Sequence, residues 1–339
     1  MVRVRARALV LSLCLAACAA PAAETSLPPV TTAPPATTTT TAATTTTTAP
    51  PATTTTTLPP STTTTTAPTT TTTRPPTTTT TAAPTTTSSR QPQPTLPAHC
   101  RPQMFTDEVV AQLEADYPGK LITAWVHDLR TGCDYSLNPD NRQRTASVFK
   151  VMVMAGTLLE AQQEGRMPTE WEMGQMTPMI TQSADDPVRA LWRHFGGSPW
   201  FRTQRDVWGL NQTTVTADDG SAWGLTRTSA RDQVNLIRKV LLGQGGLLQP
   251  EYRAIALDLM TSVVPSQSWG ITAGVPSGWR VALKNGFAGP TINSVGWVKG
   301  PGSDPGYVVA ILTQGWNDHP SGIAAVERIS RIVAGAMTR

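Results

Sequence analysis

Apolar residues recur at helical spacing over residues 107–117, where Val109, Val110 and Leu113 form one stripe, and this predicts an amphipathic helix. Two short runs, 121–129 and 133–137, read as strands around the turn "RTG". Residues 148–163 are apolar on nearly every face, which predicts a helix buried on all sides. A helical middle rich in Trp and Met follows, including helices over 187–195, 229–242 and 251–263. Three more strands are predicted near 280–285, 292–299 and 307–314, separated by the turns "AGP" and "GPGSDPG", and residues 322–337 close the chain as a helix. Helix, two strands, a helical insert, three strands and a helix make an α/β chain of the α+β type: an antiparallel sheet carrying helices, plus an all-α lobe.

Residues 1–97 show neither rhythm. Arg3, Arg5 and Arg7 precede an apolar run at 8–17, too short to span a membrane and suited to a secretory signal. The run ends in "LAAC", which resembles a bacterial lipobox and makes residues 1–18 a lipoprotein signal with Cys18 lipidated. The plainer alternative is cleavage at a nearby "AxA"-like site, with Cys18 incidental. Residues 19–97 are nearly all Thr, Pro and Ala. They cannot bury enough apolar surface to offset their ordering entropy, and a disordered stalk is expected. At about 3.1 Å per residue a polyproline-like stalk holds a domain on the order of 200 Å from its anchor. The expected location is outside the cytoplasm, on the bacterial cell membrane and reaching into the cell wall. Residues 98–339 are long and apolar enough for one domain with its own core.

Charge changes this picture little. Lys and Arg number 27 against 23 Asp and Glu, but removal of the signal takes three arginines and no acid, so the mature chain is near neutral and makes no case for nucleic acid. With Cys14 in the signal and Cys18 given to lipid, Cys100 and Cys133 remain, and an oxidising envelope favours their pairing. His99, His127, His194 and His319 are scattered, with no metal-ligand spacing, and no cofactor is expected. A Gly-x-Ser-x-Gly elbow and a phosphate-cradling Gly-rich loop are both missing.

The candidate chemistry begins at "TASVFK", where Ser147 stands three residues before Lys150 at the start of the apolar helix. Ser147 is either a nucleophile beside its base or a helix cap followed by a snorkelling lysine, and one Ser-x-x-Lys match does not separate the two. In the first turn, the positive helix end and apolar surroundings favour a reactive hydroxyl and a neutral amine. Two later stretches shift the balance: "MITQSADD" with Ser183 and Asp185 before a helix, and "VALKNG" with Lys284, Asn285 and Gly286 on a predicted strand. "SLN" at Ser136–Asn138 matches Ser-x-Asn too, but it precedes the nucleophile helix.

Ser-x-x-Lys, Ser-x-Asn and Lys-Thr-Gly, in that order, form the motif set of class A β-lactamases and penicillin-binding proteins. With their flanks, the three stretches resemble that superfamily over residues 104–338. The resemblance implies a five-stranded antiparallel sheet flanked by helices. It implies acylation of Ser147, proton removal involving Lys150, and a proton relay through Ser183 with Lys284 supplying positive charge. The backbone N–H groups of Ser147 and Phe287 would hold the oxyanion, while Gly286 lets substrate lie along its strand. Asp185 and Asn285 would be substrate-binding, although Asp185 replaces an Asn and Asn285 replaces a hydroxyl residue. A further departure is the absence of any glutamate between Glu172 and Glu251, the interval where class A enzymes carry the deacylating acid. Asp218 and Asp219 offer the nearest carboxylates, as turn residues or as orienters of water. Trp223 and Trp269 are candidates to line a cleft. The expectation is a monomeric, envelope-anchored serine hydrolase that takes β-lactams or D-Ala-D-Ala-type peptidoglycan stem peptides, with slow β-lactam hydrolysis at most. The alternative is a non-catalytic module binding cell wall or protein on a degenerate fold of this kind.

Overall fold

A computed structural model describes residues 96–215 and 222–339. Cys18, the signal, nearly all of the expected stalk, and Asp218 and Asp219 lie outside the described residues. The elements are α1 (Asp107–Asp116), β1 (Leu121–Asp128), β2 (Asp134–Leu137) and β3 (Gln143–Arg144), then α2 (Lys150–Gln163), α3 (Glu170–Thr181), α4 (Asp185–His194) and α5 (Ser198–Val207). They continue with β4 (Arg227–Thr228), α6 (Ala230–Leu242), α7 (Pro250–Thr261), β5 (Arg280–Ala288), β6 (Thr291–Lys299), β7 (Tyr307–Gln314) and α8 (His319–Met337).

Five strands form one antiparallel sheet in the order β2-β1-β7-β6-β5, and β3 pairs with β4 as a separate ribbon. Side-chain alternation gives the sheet two apolar faces. Val308, Ala310 and Leu312 of β7 join the core built with α2 and α6, whereas Val309 and Ile311 join the core built with α1 and α8. The helix α2 is buried along nearly its whole length, as its uniform apolar character predicts.

Several boundaries differ from the sequence expectation, including those of β5, α8 and the turn before α2. The strand β5 continues three residues past Asn285 because it stays paired with β6 up to the turn. α8 starts at His319, three residues early, where Asp318 caps the Ser321 N–H and Pro320 occupies the first turn. Ser147 lies in a 3-10 turn, Ala146–Phe149, that runs into α2 rather than in the α-helix itself.

Buried amides fix the segment ahead of that turn. Asn293 on β6 donates to the carbonyls of Arg144 and Thr145 at 2.8 and 2.9 Å and accepts from the Thr313 N–H at 3.0 Å. Gln143 donates to the Leu312 carbonyl at 3.0 Å. Cutting such a buried amide leaves unsatisfied groups behind, so these bonds hold the chain at the mouth of α2 to the centre of the sheet.

Cys100 and Cys133 form a disulfide across 33 residues, tying the segment ahead of α1 to the residue just before β2. By loop-closure entropy such a bridge is worth roughly 3–4 kcal/mol. Replacing both with serine is expected to lower the unfolding free energy by about that amount in a urea titration, and an unchanged midpoint would contradict the assignment.

Candidate active site

Four backbone segments converge on Ser147. Ala146, immediately before it, has φ 45°, and Ser183, in the connection from α3 to α4, has φ 63°. Left-handed backbone at two non-glycine positions costs energy and persists only where surrounding structure enforces it. Here the enforcement comes from β5. A Cβ on Gly286 would lie 2.8 Å from the Val148 nitrogen and 3.0 Å from the Ser147 nitrogen. Only glycine lets the strand backbone lie that close to the serine turn.

Lys284, two residues before Gly286 and on the same face of β5, is buried, and its Nζ donates to Ser183 Oγ and to the Asn285 carbonyl, each at 2.8 Å. Lys150, also buried, donates to Asp185 Oδ1 and the Ser183 carbonyl, both at 2.6 Å, and reaches Ser183 Oγ at 3.4 Å. Its amine also sits 5.1 Å from the centre of the Trp223 ring. The Ser183 hydroxyl therefore stands between two lysine amines. No hydrogen bond joins Ser147 Oγ to Lys150; free-enzyme geometry of this kind is commonly loose before substrate arrives.

Both amines are shifted toward the neutral form. Burial pushes Lys284 well below the ordinary lysine value, the charge of nearby Lys150 adds to the shift, and Asp185 opposes it. Burial also lowers Lys150, and outweighs the hydrogen bond and charge of Asp185 that favour its ammonium form. An amine kept short of protons beside a serine hydroxyl can accept a proton from it.

Ser147 opens into a cleft of about 330 Å³ whose walls include Asp185, Trp223 and the strand segment from Phe287 to Thr291. Trp223 thus lines the cleft, whereas Trp269 packs against the core on the α8 side. Asn285 is buried and faces away: its Nδ2 donates to the carbonyls of Gln267 at 2.8 Å and Trp269 at 3.0 Å. A side chain spent on that loop is not placed to meet a substrate carboxylate. Ser136 is buried in β2, opposite Trp125 of β1, within the sheet rather than at the cleft.

The structure also brings together groups that no motif flagged. Arg144 and Arg189 line the cleft beside Asp185, a placement foreshadowed only by their positions three residues before Ser147 and four after Asp185. On the far side of the lobe, Glu160, Glu172 and His194 meet from three helices. His194 bonds Glu160 at 2.7 Å, and Glu172 is held by Arg166 through two bonds of 2.7 and 2.9 Å and by the Thr169 N–H. With its carboxylate neutralised by a guanidinium, that cluster is better suited to joining α2, α3 and α4 than to holding a cation. The Thr169–Glu172 capping box was readable in "TEWE" as the start of α3.

The sheet order and helical lobe are those of the β-lactamase fold. A model of the beta-lactamase enzyme family matches residues 106–173 and 175–337, and the chain belongs to that family, a family of serine hydrolases. A point mutant of PBP-A, solved as an acyl-enzyme complex with penicillin G, is similar at 24% identity and TM-score 0.60, covering 68% of this chain and 94% of its own. A β-lactamase from Burkholderia ambifaria is similar at 21% identity and TM-score 0.59, covering 68% and 98%. The β-lactamase from Desulfarculus baarsii DSM 2075 aligns at 17% identity and TM-score 0.59, covering 67% and 94%. No curated protein matches the sequence.

The buried lysines make stability depend on pH. Between its lowered value in the fold and about 10.4 in the unfolded chain, each lysine binds a proton only when unfolded, so the unfolding free energy rises with pH through that interval and levels above it. The slope approaches about 1.4 kcal/mol per pH unit for each such group. Urea unfolding across alkaline pH is expected to show this rise, and Lys284→Met to flatten part of it; parallel profiles would mean that Lys284 is not the desolvated group.

Proposed function

We propose that the protein is an envelope-anchored serine hydrolase acylated at Ser147 by β-lactams or by D-Ala-D-Ala-type peptidoglycan peptides. The observation that carries this reading is the Ser183 hydroxyl set between two desolvated lysine amines, beside a serine on a strained turn that opens into a cleft. Membership of the beta-lactamase enzyme family supports it, as does the penicillin G acyl-enzyme of the PBP-A mutant.

In the proposed reaction Ser147 Oγ attacks the carbonyl carbon of the substrate amide as its proton passes to Lys150. The tetrahedral oxyanion is held by the backbone N–H groups of Ser147 and Phe287. Ser183 passes a proton to the leaving nitrogen and is resupplied from Lys284 or Lys150. Breakage of the C–N bond leaves an ester on Ser147, and in a β-lactam the leaving amine stays attached through the opened ring. Water later hydrolyses the ester. Asp185 is the one acidic side chain among the described residues lining the cleft, and it is paired with Lys150. Deacylation is therefore the slow step of the proposed cycle. Lipid on Cys18 and the Thr/Pro-rich segment would place this chemistry in the cell wall.

Incubation with penicillin G followed by intact mass over time is expected to show a long-lived adduct of one penicillin that Ser147→Ala lacks. Failure of folded protein to form any adduct at high drug concentration would remove the acylation reading.

A second reading, a binding module without turnover, draws on the Lys150–Asp185 pair at 2.6 Å, which favours a protonated and unreactive lysine. Asp185→Asn separates the two. In a working variant site the substitution slows acylation by about tenfold or more, the size expected for losing one charge-assisted hydrogen bond at the reacting centre. Faster acylation would instead identify Asp185 as the residue that silences the site.

A further inference from the structure

Three charged residues line the cleft among the described residues: Arg144, Asp185 and Arg189. The carboxylate of Asp185 is engaged by Lys150 at 2.6 Å. Arg189 makes one 3.1 Å contact with Asp186, whose side chain is almost fully in solvent, an arrangement worth little. The side chain of Arg144 has no hydrogen bond or ion pair with any described residue, while its carbonyl is held by Asn293. Arg144, anchored through its backbone and with its five guanidinium donors unspent, belongs to the wall of a cleft whose lone carboxylate is already matched.

The direction of the cleft says which part of a substrate those donors meet. Its walls follow Phe287 to Thr291, beyond Gly286, and include neither Ser183 nor Lys284. A substrate whose scissile carbonyl reaches Ser147 and whose leaving nitrogen turns toward Ser183 must lay its acyl side along that wall. Asn285, diverted to the Gln267 and Trp269 carbonyls, adds no polar contact to it.

We infer that Arg144, assisted by Arg189, forms an anion subsite for the acyl half of the substrate, so that the preferred acyl donor carries a carboxylate on its acyl side chain, as an acidic peptide does. The inference rests on the proposed acylation of Ser147 for the orientation of the substrate, but the subsite itself is read from the cleft. A planar guanidinium pairs with a carboxylate through two parallel hydrogen bonds.

Penicillin G and carbenicillin test it, because they share one nucleus and differ by a carboxylate on the acyl side chain. Two quantities are measured on the full chain: the second-order rate of adduct formation by intact mass, and equilibrium binding to Ser147→Ala by calorimetry. Carbenicillin is expected to exceed penicillin G by about tenfold or more, the typical gain from a charge-assisted hydrogen bond. Arg144→Gln is expected to bring the ratio close to one, Arg144→Lys to keep part of it, and raised salt to shrink it. Thermal melts confirm that each variant is folded. Adducts with both drugs at similar rates, or a preference that survives Arg144→Gln, would overturn the subsite and leave the acylation reading standing. No adduct with either drug, together with Arg144-dependent binding of carbenicillin to Ser147→Ala, would remove the acylation reading and support the subsite. Absence of both adduct and binding would overturn both.

Discussion

The site depends on how closely β5 approaches the turn that carries Ser147. Gly286 sits against the nitrogens of Ser147 and Val148 at distances no side chain would permit, and that contact fixes the rest by alternation along the strand. Lys284 falls two residues back on the same face and reaches Ser183, while the segment from Phe287 onward becomes the wall of the cleft. The same alternation turns Asn285 to the opposite face, toward the loop at 267–269. The chain just before the turn is held by Asn293, the partner of Gly286 on the neighbouring strand, and by Gln143, which bind it to the middle of the sheet. Strand and turn thus form one rigid unit, and the strain at Ala146 is borne by packing rather than by local preference.

Beside that unit two buried lysines lie near one carboxylate, which bonds Lys150 alone. Removing both amines from water is costly if each stays charged, and the single partner, Asp185, lies on the solvent side of the pair, with about half of its side chain exposed. Lys150 therefore feels two opposed influences, and burial prevails; Lys284 lacks a direct carboxylate and is shifted further. The arrangement weakens the hold of both amines on their protons. That suits a relay, since each amine can both give and receive through the Ser183 oxygen between them.

Much of this was legible in the sequence, because the informative signals were strong and local. The uniformly apolar run after Ser147 had to be a buried helix, and the runs at 292–299 and 307–314, bounded by Gly- and Pro-bearing turns, coincide with β6 and β7. The strand-bound Lys284 and the pre-helical Ser183 were placed by spacing, and the structure brings them within hydrogen-bond distance. What spacing could not give was orientation. Asn285 is adjacent to Lys284 in sequence, yet its amide is taken by two carbonyls of a loop whose path depends on tertiary packing. Arg144 and Arg189 carry no motif and acquire meaning only when β3 and α4 meet across the cleft. Glu160, Glu172 and His194 come from three helices, and no single window contains them.

Acylation and deacylation ask for different equipment, and the cleft is equipped unequally. Acylation needs a nucleophile, a base within reach and a proton for the leaving nitrogen; Ser147 opens into the cleft three residues before Lys150, and the Ser183 hydroxyl links Lys150 to Lys284. Hydrolysis of the resulting ester needs a water molecule activated from the side opposite the leaving group, usually by a carboxylate free to take its proton. The chain has no glutamate between Glu172 and Glu251, and the described lining offers only a carboxylate already bound to a lysine. If Asp185 released Lys150 to serve water, the lysine would lose the contact that orients it toward Ser183. One residue cannot hold the acylating base in place and act as an independent base for water, so on the proposed chemistry this site is built to be acylated more readily than to turn over.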